Sequence, residues 1–258
     1  RGVQLKQILQ LWGGDERGHL FDGAAKKDLP ICVPIATQLT QAAGAAVALK
    51  SKGVKGAVVT SCGDGATSRG DFYEALNVAG LWQLPLVTVI NNNQWAISVP
   101  RQMQSGTPTL AQKAVAAGIE GVQVDGNDVV AVFDAVNRAL QKARSGKGPT
   151  LIEAITYRLG DHTTADDATR YRSASEVSDA WQREPIKRLQ TWLHDHDAWD
   201  ATREQSLHGD IKQQIERAVA DYLAIEPAPV DDILRYQYAD MTPALEQQRA
   251  WLLQRHGG

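Results

Sequence analysis

Residues 57–71 read AVVTSCGDGATSRGD, and this stretch decides the fold class of the chain. Its first six residues are mostly small or β-branched, as in a buried strand that is covered on both faces. An aspartate between two glycines follows, and a helical pattern begins directly after it. A strand that leads through a short turn into a helix is the repeating unit of an α/β sheet.

Similar units continue along the chain. Further strands are predicted at 86–90, 122–124 and 151–155. Helical patterns lie between the strands at 38–50, 71–81 and 129–144. Because β and α segments alternate, we predict an α/β fold with a doubly wound, mostly parallel sheet.

The last third of the chain has a different pattern and predicts a helical C-terminal extension. The expected helices lie at 177–194, 202–223 and 243–255. The helix at 202–223 carries an apolar stripe, which we expect to pack on the sheet or on a partner. The stripe consists of Ile211, Ile215, Val219 and Tyr222.

The composition of the 258 residues excludes several classes of protein. With 43% hydrophobic and 22% charged residues, the chain is expected to be folded and globular. The net charge is −3 without a basic block, so we expect no nucleic-acid partner. No apolar run reaches the roughly 18 residues of a membrane span, so no membrane association is expected. Two cysteines, Cys32 and Cys62, do not make a disulfide framework, which favours a reducing compartment.

Polar residues follow two of the predicted strands. Asp64 comes after the first strand, and the second strand runs into the asparagines 91–93. Ligands of open α/β sheets bind at this carboxyl edge, and neighbouring strands would bring Asp64 and Asn93 to one crevice. Their oxygens, with a backbone carbonyl and phosphate oxygens, suit Mg²⁺. The alternative is structural, because Gly-Asp-Gly is also a common turn and asparagine caps turns.

Three segments together resemble the α subunits of heterotetrameric thiamine-diphosphate-dependent 2-oxo acid dehydrogenases. These segments are 63–71 (GDGATSRGD), 92–98 (NNQWAIS) and 157–163 (YRLGDHT). The resemblance covers nearly the whole chain and is strongest to the bacterial pyruvate dehydrogenase α subunits. It implies a thiamine-diphosphate-binding fold, a bacterial cytoplasmic location rather than the mitochondrial matrix, and the cofactors thiamine diphosphate and Mg²⁺.

The resemblance also implies roles for individual residues. Asp64 and Asn93 would bind Mg²⁺ through their side chains, and Trp95 through its backbone carbonyl. Gly65 and Ala66 would lie against the diphosphate. In the segment 32–38 the backbone groups of Val33 and Ile35 would touch the aminopyrimidine ring, although packing of a loop against a helix also explains these two residues.

The loop after the fourth predicted strand carries the expected catalytic residue, His162. In the family such a loop orders over the cofactor, and its histidine contacts the diphosphate and assists reductive acyl transfer to a lipoyl group. A histidine exchanges protons near neutral pH, as that step requires. Arginines could order the loop by pairing with Asp161, Asp166 or Asp167. The alternative is that these arginines form exposed ion pairs, which add little stability. The arginines are Arg158, Arg170 and Arg172.

Part of the family's active site has no counterpart in these residues. The glutamate that activates the cofactor belongs to the β subunit in this family, and the Tyr-Arg pair that anchors the diphosphate lies upstream of the region that Arg1 resembles. We therefore expect an N-terminally shortened cofactor domain at 1–226, with its active-site loop at 158–173, and a tail helix at 227–258. We expect the chain to be inactive without a β subunit. The other expected partners are a 2-oxo acid and the lipoyl-bearing transacetylase core.

The sequence leaves the substrate and the class of function open. Pyruvate is favoured, but branched-chain 2-oxo acid and acetoin dehydrogenases share the same loop plan. An alternative without catalysis is that the chain is an assembly subunit. The presence of Asp64, Asn93 and His162 argues against this alternative. A generic nucleotide-binding module comes last, because the chain has neither a dinucleotide fingerprint nor a phosphate-loop lysine.

Overall fold

The computed structural model describes residues 1–256, which divide into two compact units. One unit is Ile31–Asp200, and the other joins Arg1–Pro30 to the chain from Ala201 onward. The predicted division at residue 226 is a different one and stays a proposal. No helix among the described residues is long and apolar enough to cross a membrane.

The unit of residues 31–200 is built on a four-stranded parallel sheet. Its strands lie in the order β1-β2-β6-β5. They are β1 (Val58–Gly63), β2 (Leu86–Asn92), β5 (Glu120–Asp125) and β6 (Thr150–Ile155). A two-stranded antiparallel ribbon is formed by β3 (Trp95–Ala96) and β4 (Val99–Pro100). All four predicted strands are present, and the sheet is parallel throughout. The expectation that the strand at 57–62 is buried on both faces is wrong, because β1 lies at an edge of the sheet and Val59 is 52% exposed.

Helices cover both faces of the sheet. In this unit they are α2 (Thr37–Ser51), α3 (Gly70–Leu81), α4 (Arg101–Gln104), α5 (Lys113–Ala116), α6 (Val129–Arg144), α7 (Ala174–Trp181) and α8 (Pro185–Asp195). Side chains alternate between the two faces of β2: Leu86 and Ile90 join the apolar cluster of α2 and α3, whereas Val87 joins that of α6. A sheet with a separate core on each face is doubly wound, as the alternating pattern predicts.

The helix predicted at 177–194 is wrong as a single element. The structure contains α7 and α8 instead, separated by a short turn before Pro185. Proline has no backbone N–H and its ring clashes with the preceding turn, so it is tolerated at the start of a helix and not in its interior. Glu184 caps the new helix by accepting a hydrogen bond from the Lys187 backbone N–H at 2.7 Å.

The other unit is helical. It contains α1 (Leu5–Trp12), α9 (Ala201–Leu223), α10 (Asp232–Arg235) and α11 (Pro243–His256), and α1 packs against α9. Arg17 links its two segments, because its guanidinium binds Asp15 and donates to the Glu226 carbonyl at 2.8 Å. The predicted helices at 202–223 and 243–255 are confirmed. The aliphatic stripe of α9 is half exposed, with Ile215 52% accessible.

Candidate functional site

The carboxyl ends of β1 and β2 meet at one edge of the sheet. The two strands are parallel neighbours, and Gly63 pairs with Asn91. Asp64 follows β1 directly and Asn93 follows β2 directly. The backbone N–H of Asn93 is close enough to the Asp64 carboxylate to lower its pKa. The structure therefore brings these two predicted site residues together.

Asp64 is an almost completely buried carboxylate. It is 2% exposed, and burial raises its pKa above the usual range for an aspartate. Hydrogen bonds oppose this shift, among them one from Gln104 Nε2 to Asp64 Oδ2 at 3.1 Å. A buried carboxylate without a cation is unfavourable, since its charged form has lost solvation. A divalent cation at this position would supply the missing charge.

The turn Asp64–Ser68 is a single 3₁₀ segment that connects β1 to α3. The Thr67 hydroxyl donates to the Asp64 carbonyl at 2.8 Å and closes the turn. Gly65 packs so tightly that a β-carbon there would lie 2.7 Å from Ala96 Cβ. The glycine is therefore required by the contact between the turn and β3, a reason that the sequence did not reveal. A β-carbon at Gly63, in contrast, would meet nothing within 4 Å.

The asparagine run has partners for its amides. Asn92 is buried, and its Nδ2 donates to Glu153 Oε1 at 2.7 Å. Asn93 is half-buried, and its Oδ1 accepts the Trp95 backbone N–H at 3.1 Å. An amide oxygen has two lone pairs, so Asn93 Oδ1 retains capacity for a cation. Turn capping and ligand binding are therefore compatible at Asn93.

The segment after β2 is conformationally strained. Gln94 has φ of 73° and Ile97 has φ of 55°, both in the left-handed region. Residues with a β-carbon adopt this region at a cost of about 1–3 kcal/mol each, and β-branched residues such as Ile97 do so most rarely. Strain of this kind is concentrated at functional sites. Between these two residues, the Trp95 carbonyl faces Arg158.

Arg158 connects the Trp95 segment to the loop of His162. Its Nη1 donates to the Trp95 carbonyl at 3.2 Å, and its Nη2 donates to the Ile97 carbonyl at 2.9 Å and to the Tyr171 hydroxyl at 2.6 Å. The side chain is only 11% exposed. The sequence identified Arg158 as a partner for aspartates, but its bonds to these two carbonyls could not be foreseen.

The predicted active-site loop is held by Asp166 and Arg172. The His162 backbone N–H donates to Asp166 Oδ2 at 2.8 Å, and the Tyr171 hydroxyl donates to the same oxygen, which lowers the pKa of Asp166. Arg172 is buried and donates to the carbonyls of Arg158, Leu159 and Gly160. The His162 residue itself is exposed.

The expectation that the three arginines order the loop through aspartates therefore holds only in part. Arg158 Nη2 lies 4.0 Å from Asp166 Oδ2, so this arginine can help to order the loop through an aspartate, as expected. Arg172 binds carbonyl oxygens rather than an aspartate. Within residues 1–256, Arg170 is exposed and forms no ion pair.

Glu176 is a further residue of the site that the sequence did not identify. Its Oε1 accepts hydrogen bonds from Trp95 Nε1 at 3.1 Å and from the Tyr157 hydroxyl at 2.8 Å. Glu176 lies in the first turn of α7, where the Ser173 hydroxyl accepts its backbone N–H. Only the fold brings residues 81 positions apart into contact, so no sequence signal pointed to this bond.

The segment before α2 presents apolar side chains to the surface. Val33 is 86% exposed and Ile35 is 57% exposed, whereas Ala36 is fully buried with φ of 72°. Packing of the two exposed side chains against α2 is therefore not the reason for their presence. Directly after them, Gln38 Nε2 donates to the Ser61 carbonyl at 3.0 Å, and Gln38 Oε1 is buried without a hydrogen-bond partner.

Protein ligands alone do not complete a metal site. In the described part of the chain, no cluster of three histidine, cysteine, aspartate or glutamate residues exists. The candidate set has one carboxylate (Asp64), one amide oxygen (Asn93) and one carbonyl (Trp95). Mg²⁺ is usually held by one or two carboxylates together with waters and the phosphates of a ligand. The donors present therefore fit Mg²⁺ that is shared with a phosphate group.

Comparisons with known proteins identify the family of the chain. The family model for the dehydrogenase E1 component matches residues 1–226. The pyruvate dehydrogenase E1 component subunit alpha of Mycoplasma genitalium is 40% identical over 249 residues, which cover 96% of this chain and 69% of the relative. The 3-methyl-2-oxobutanoate dehydrogenase subunit alpha of Mycobacterium tuberculosis is 42% identical, over 98% of this chain and 68% of the relative. Since the match extends over most of its length, the chain belongs to the dehydrogenase E1 component family.

Proposed function

We propose that this chain is the α subunit of a pyruvate dehydrogenase and holds the Mg²⁺-diphosphate half of an active site shared with a β subunit. The observation that carries the proposal is the pair Asp64 and Asn93 at the ends of adjacent strands. The family depends on thiamine diphosphate, and relatives from several bacteria are named as pyruvate dehydrogenase α subunits. Because these relatives are bacterial, a cytoplasmic location is part of the proposal.

The chain's own oxygens would hold Mg²⁺. Asp64 supplies a carboxylate that is already desolvated, Asn93 supplies its amide oxygen, and Trp95 supplies its carbonyl. The Trp95 carbonyl accepts from Arg158 with one lone pair and has a second for the cation. Glu176 fixes the Trp95 side chain and thereby the orientation of this backbone segment. A site preset in this way loses little entropy when the ion binds.

Thiamine diphosphate, when bound, supplies the carbanion and the electron sink for decarboxylation of a 2-oxo acid. Gly65 and Ala66 would lie against its diphosphate, in a turn whose closure by Thr67 keeps the backbone fixed. The backbone groups of Val33 and Ile35 would contact its aminopyrimidine ring. Their exposed side chains are suited to burial by the cofactor or by the β subunit.

His162 would act at the mouth of this site. Its imidazole is exposed, while its backbone is bound to Asp166. In this role it would contact the diphosphate and transfer a proton during reductive acetylation of a lipoyl group. The lipoyl group belongs to the transacetylase core, which is the third partner besides the β subunit and pyruvate.

A branched-chain substrate is the second candidate. The 42% identity to a mycobacterial 3-methyl-2-oxobutanoate dehydrogenase subunit alpha favours it. Discrimination between pyruvate and a branched-chain acid depends on a few methyl groups in a pocket, worth about 1–3 kcal/mol each. Relative kcat/KM for pyruvate, 3-methyl-2-oxobutanoate and acetoin would assign the substrate.

The test is titration calorimetry on the chain assembled with its β subunit, followed by measurement of CO₂ release from pyruvate. We expect Mg²⁺-thiamine diphosphate to bind the assembly and not the isolated chain. Asp64→Ala should abolish binding and CO₂ release. The control Asp134→Ala removes an exposed aspartate on α6, where it pairs with Arg138. If the wild-type assembly binds no cofactor, the chain is a non-catalytic assembly subunit.

A further inference from the structure

Lys113 is a buried cation beneath the turn that follows β1. It is 5% exposed. Its ammonium Nζ donates to the Thr67 carbonyl at 2.8 Å and to the Thr67 hydroxyl at 2.9 Å. Thr67 belongs to the turn Asp64–Ser68 and is itself buried. Lys113 thus contacts the segment for which diphosphate binding is proposed, although the proposed chemistry does not use it.

The charge of Lys113 has no carboxylate partner. Lys113 forms no salt bridge with any residue between positions 1 and 256. The rings of Phe72 and Tyr73, whose centroids lie 5.8 Å and 5.3 Å from Nζ, offer partial compensation through their negative faces. Both rings lie in the first turn of α3, and a helix N-terminus is itself partially positive. A buried ammonium in this setting calls for an anion.

A second observation links Lys113 to Asp64. The Thr67 hydroxyl accepts a hydrogen bond from Lys113 Nζ at 2.9 Å and donates one to the Asp64 carbonyl at 2.8 Å. Both charged residues therefore act on the same turn. Asp64 attracts a cation into this region, and Lys113 favours an anion there.

We infer that Lys113 is a positioning residue for the polyanion: its buried charge favours a diphosphate on the turn Asp64–Ser68, and its bonds to Thr67 hold that turn. This inference rests on the proposed function. Lys113 acts through Thr67 and through its electric field rather than by contact with the reacting atoms. Together with Mg²⁺ on Asp64, it gives the turn two cations for one diphosphate.

The experiment replaces the charge and keeps the shape. In the assembly of this chain with its β subunit, Lys113→Met is compared with Lys113→Arg and with the wild type. Two probes are titrated separately, namely Mg²⁺ alone and inorganic pyrophosphate with Mg²⁺. We expect Lys113→Met to bind pyrophosphate about 10- to 100-fold more weakly, the range for residues that support a site from behind. Lys113→Arg should retain most of the affinity.

Binding of Mg²⁺ alone separates an electrostatic role from a structural one. Removal of a positive charge should leave the Mg²⁺ affinity of Lys113→Met unchanged or increase it. A turn that merely collapsed would bind both probes more weakly, and this result would overturn the inference. Equal pyrophosphate affinity in Lys113→Met and the wild type would also overturn it.

Lys142→Met is the matched control. Lys142 Nζ also donates to a backbone carbonyl and a threonine hydroxyl, those of Pro149 and Thr150, but it pairs with Glu120 at 2.8 Å. It lies at the amino edge of the sheet, where β5 and β6 begin. Pyrophosphate affinity should not change in this variant.

Two further variants keep the test decisive. If Lys113→Met does not assemble, Lys113→Gln removes the charge and keeps a hydrogen-bond donor for Thr67, and the same two titrations apply. Asp64→Ala separates the inference from the proposed function, since loss of its Mg²⁺ binding is expected whatever Lys113 does. Intact Mg²⁺ binding in Asp64→Ala would refute the proposed function and the inference that rests on it.

Discussion

Gly65→Ala should destabilise the protein by displacing the turn from β3. A β-carbon at position 65 would lie 2.7 Å from Ala96 Cβ, whereas two carbons in contact are normally about 3.5–4.0 Å apart. The turn or β3 must therefore move by roughly 1 Å. Overpacking of this kind costs about 1–3 kcal/mol in the free energy of unfolding.

The same displacement should weaken the cofactor site. Asp64 precedes Gly65, and the carbonyl of Trp95 lies one residue before Ala96. Because two of the three proposed Mg²⁺ ligands adjoin the clash, a shift of about 1 Å can reduce catalysis about 100-fold. Denaturant unfolding measures the first effect, and the rate of CO₂ release from pyruvate by the assembled protein measures the second.

Two variants control this experiment. Gly63→Ala adds a β-carbon with open space around it and a φ of −78°, so its stability should stay within about 0.5 kcal/mol of the wild type. Ala96→Gly removes the clashing atom, so the pair Gly65→Ala with Ala96→Gly should recover part of the lost stability. Equal stability of Gly65→Ala and Gly63→Ala, or no recovery in the double variant, would refute the packing argument.

Three further perturbations test other parts of the account. Glu153→Ala removes a buried carboxylate that accepts three hydrogen bonds, and it should cost about 1–3 kcal/mol in unfolding free energy for each donor left without a partner, far more than the exposed Asp134→Ala; a total loss below about 1 kcal/mol would contradict this. Arg172→Met should free the carbonyls of the loop 158–173 and increase its cleavage by protease without unfolding the sheet; cleavage at the wild-type rate would count against the role of Arg172. Asp166 has a lowered pKa, so its contribution to loop order is complete above the usual aspartate value of about 4 and is lost as the pH falls through the lower folded value. The protection factor of the His162 amide against hydrogen exchange should therefore fall in acid, and a pH profile of protection that Asp166→Ala leaves unaltered would show that another group is responsible.

The sequence predicted the sheet because its strands are continuously apolar and alternate with helical patterns. This pattern does not depend on the order of the strands in the sheet. The α/β fold class could therefore be predicted, but the strand order could not. Asp64 and Asn93 could also be identified, since each follows a predicted strand and parallel strands end at one edge. The split at Pro185 was missed, although the proline itself gave the signal.

Other features of the site depend on contacts that no local pattern records. Arg158 binds the Trp95 carbonyl 63 positions away, and Glu176 binds the Trp95 indole 81 positions away. A backbone carbonyl has no sequence signature, so its partners become visible only in the fold. The same holds for Lys113, which reads as an ordinary helical lysine until its burial and its contact with Thr67 are known.

Asp64, Asn93 and Trp95 are proposed to hold a divalent cation for thiamine diphosphate. The most direct measurement is an anomalous difference map from crystals of the assembled protein grown with thiamine diphosphate and Mn²⁺ in place of Mg²⁺. We predict one strong peak about 2.0–2.3 Å from Asp64 Oδ, Asn93 Oδ1 and the Trp95 carbonyl oxygen. A peak at other residues, or bound cofactor with no peak between these three oxygens, would contradict the account.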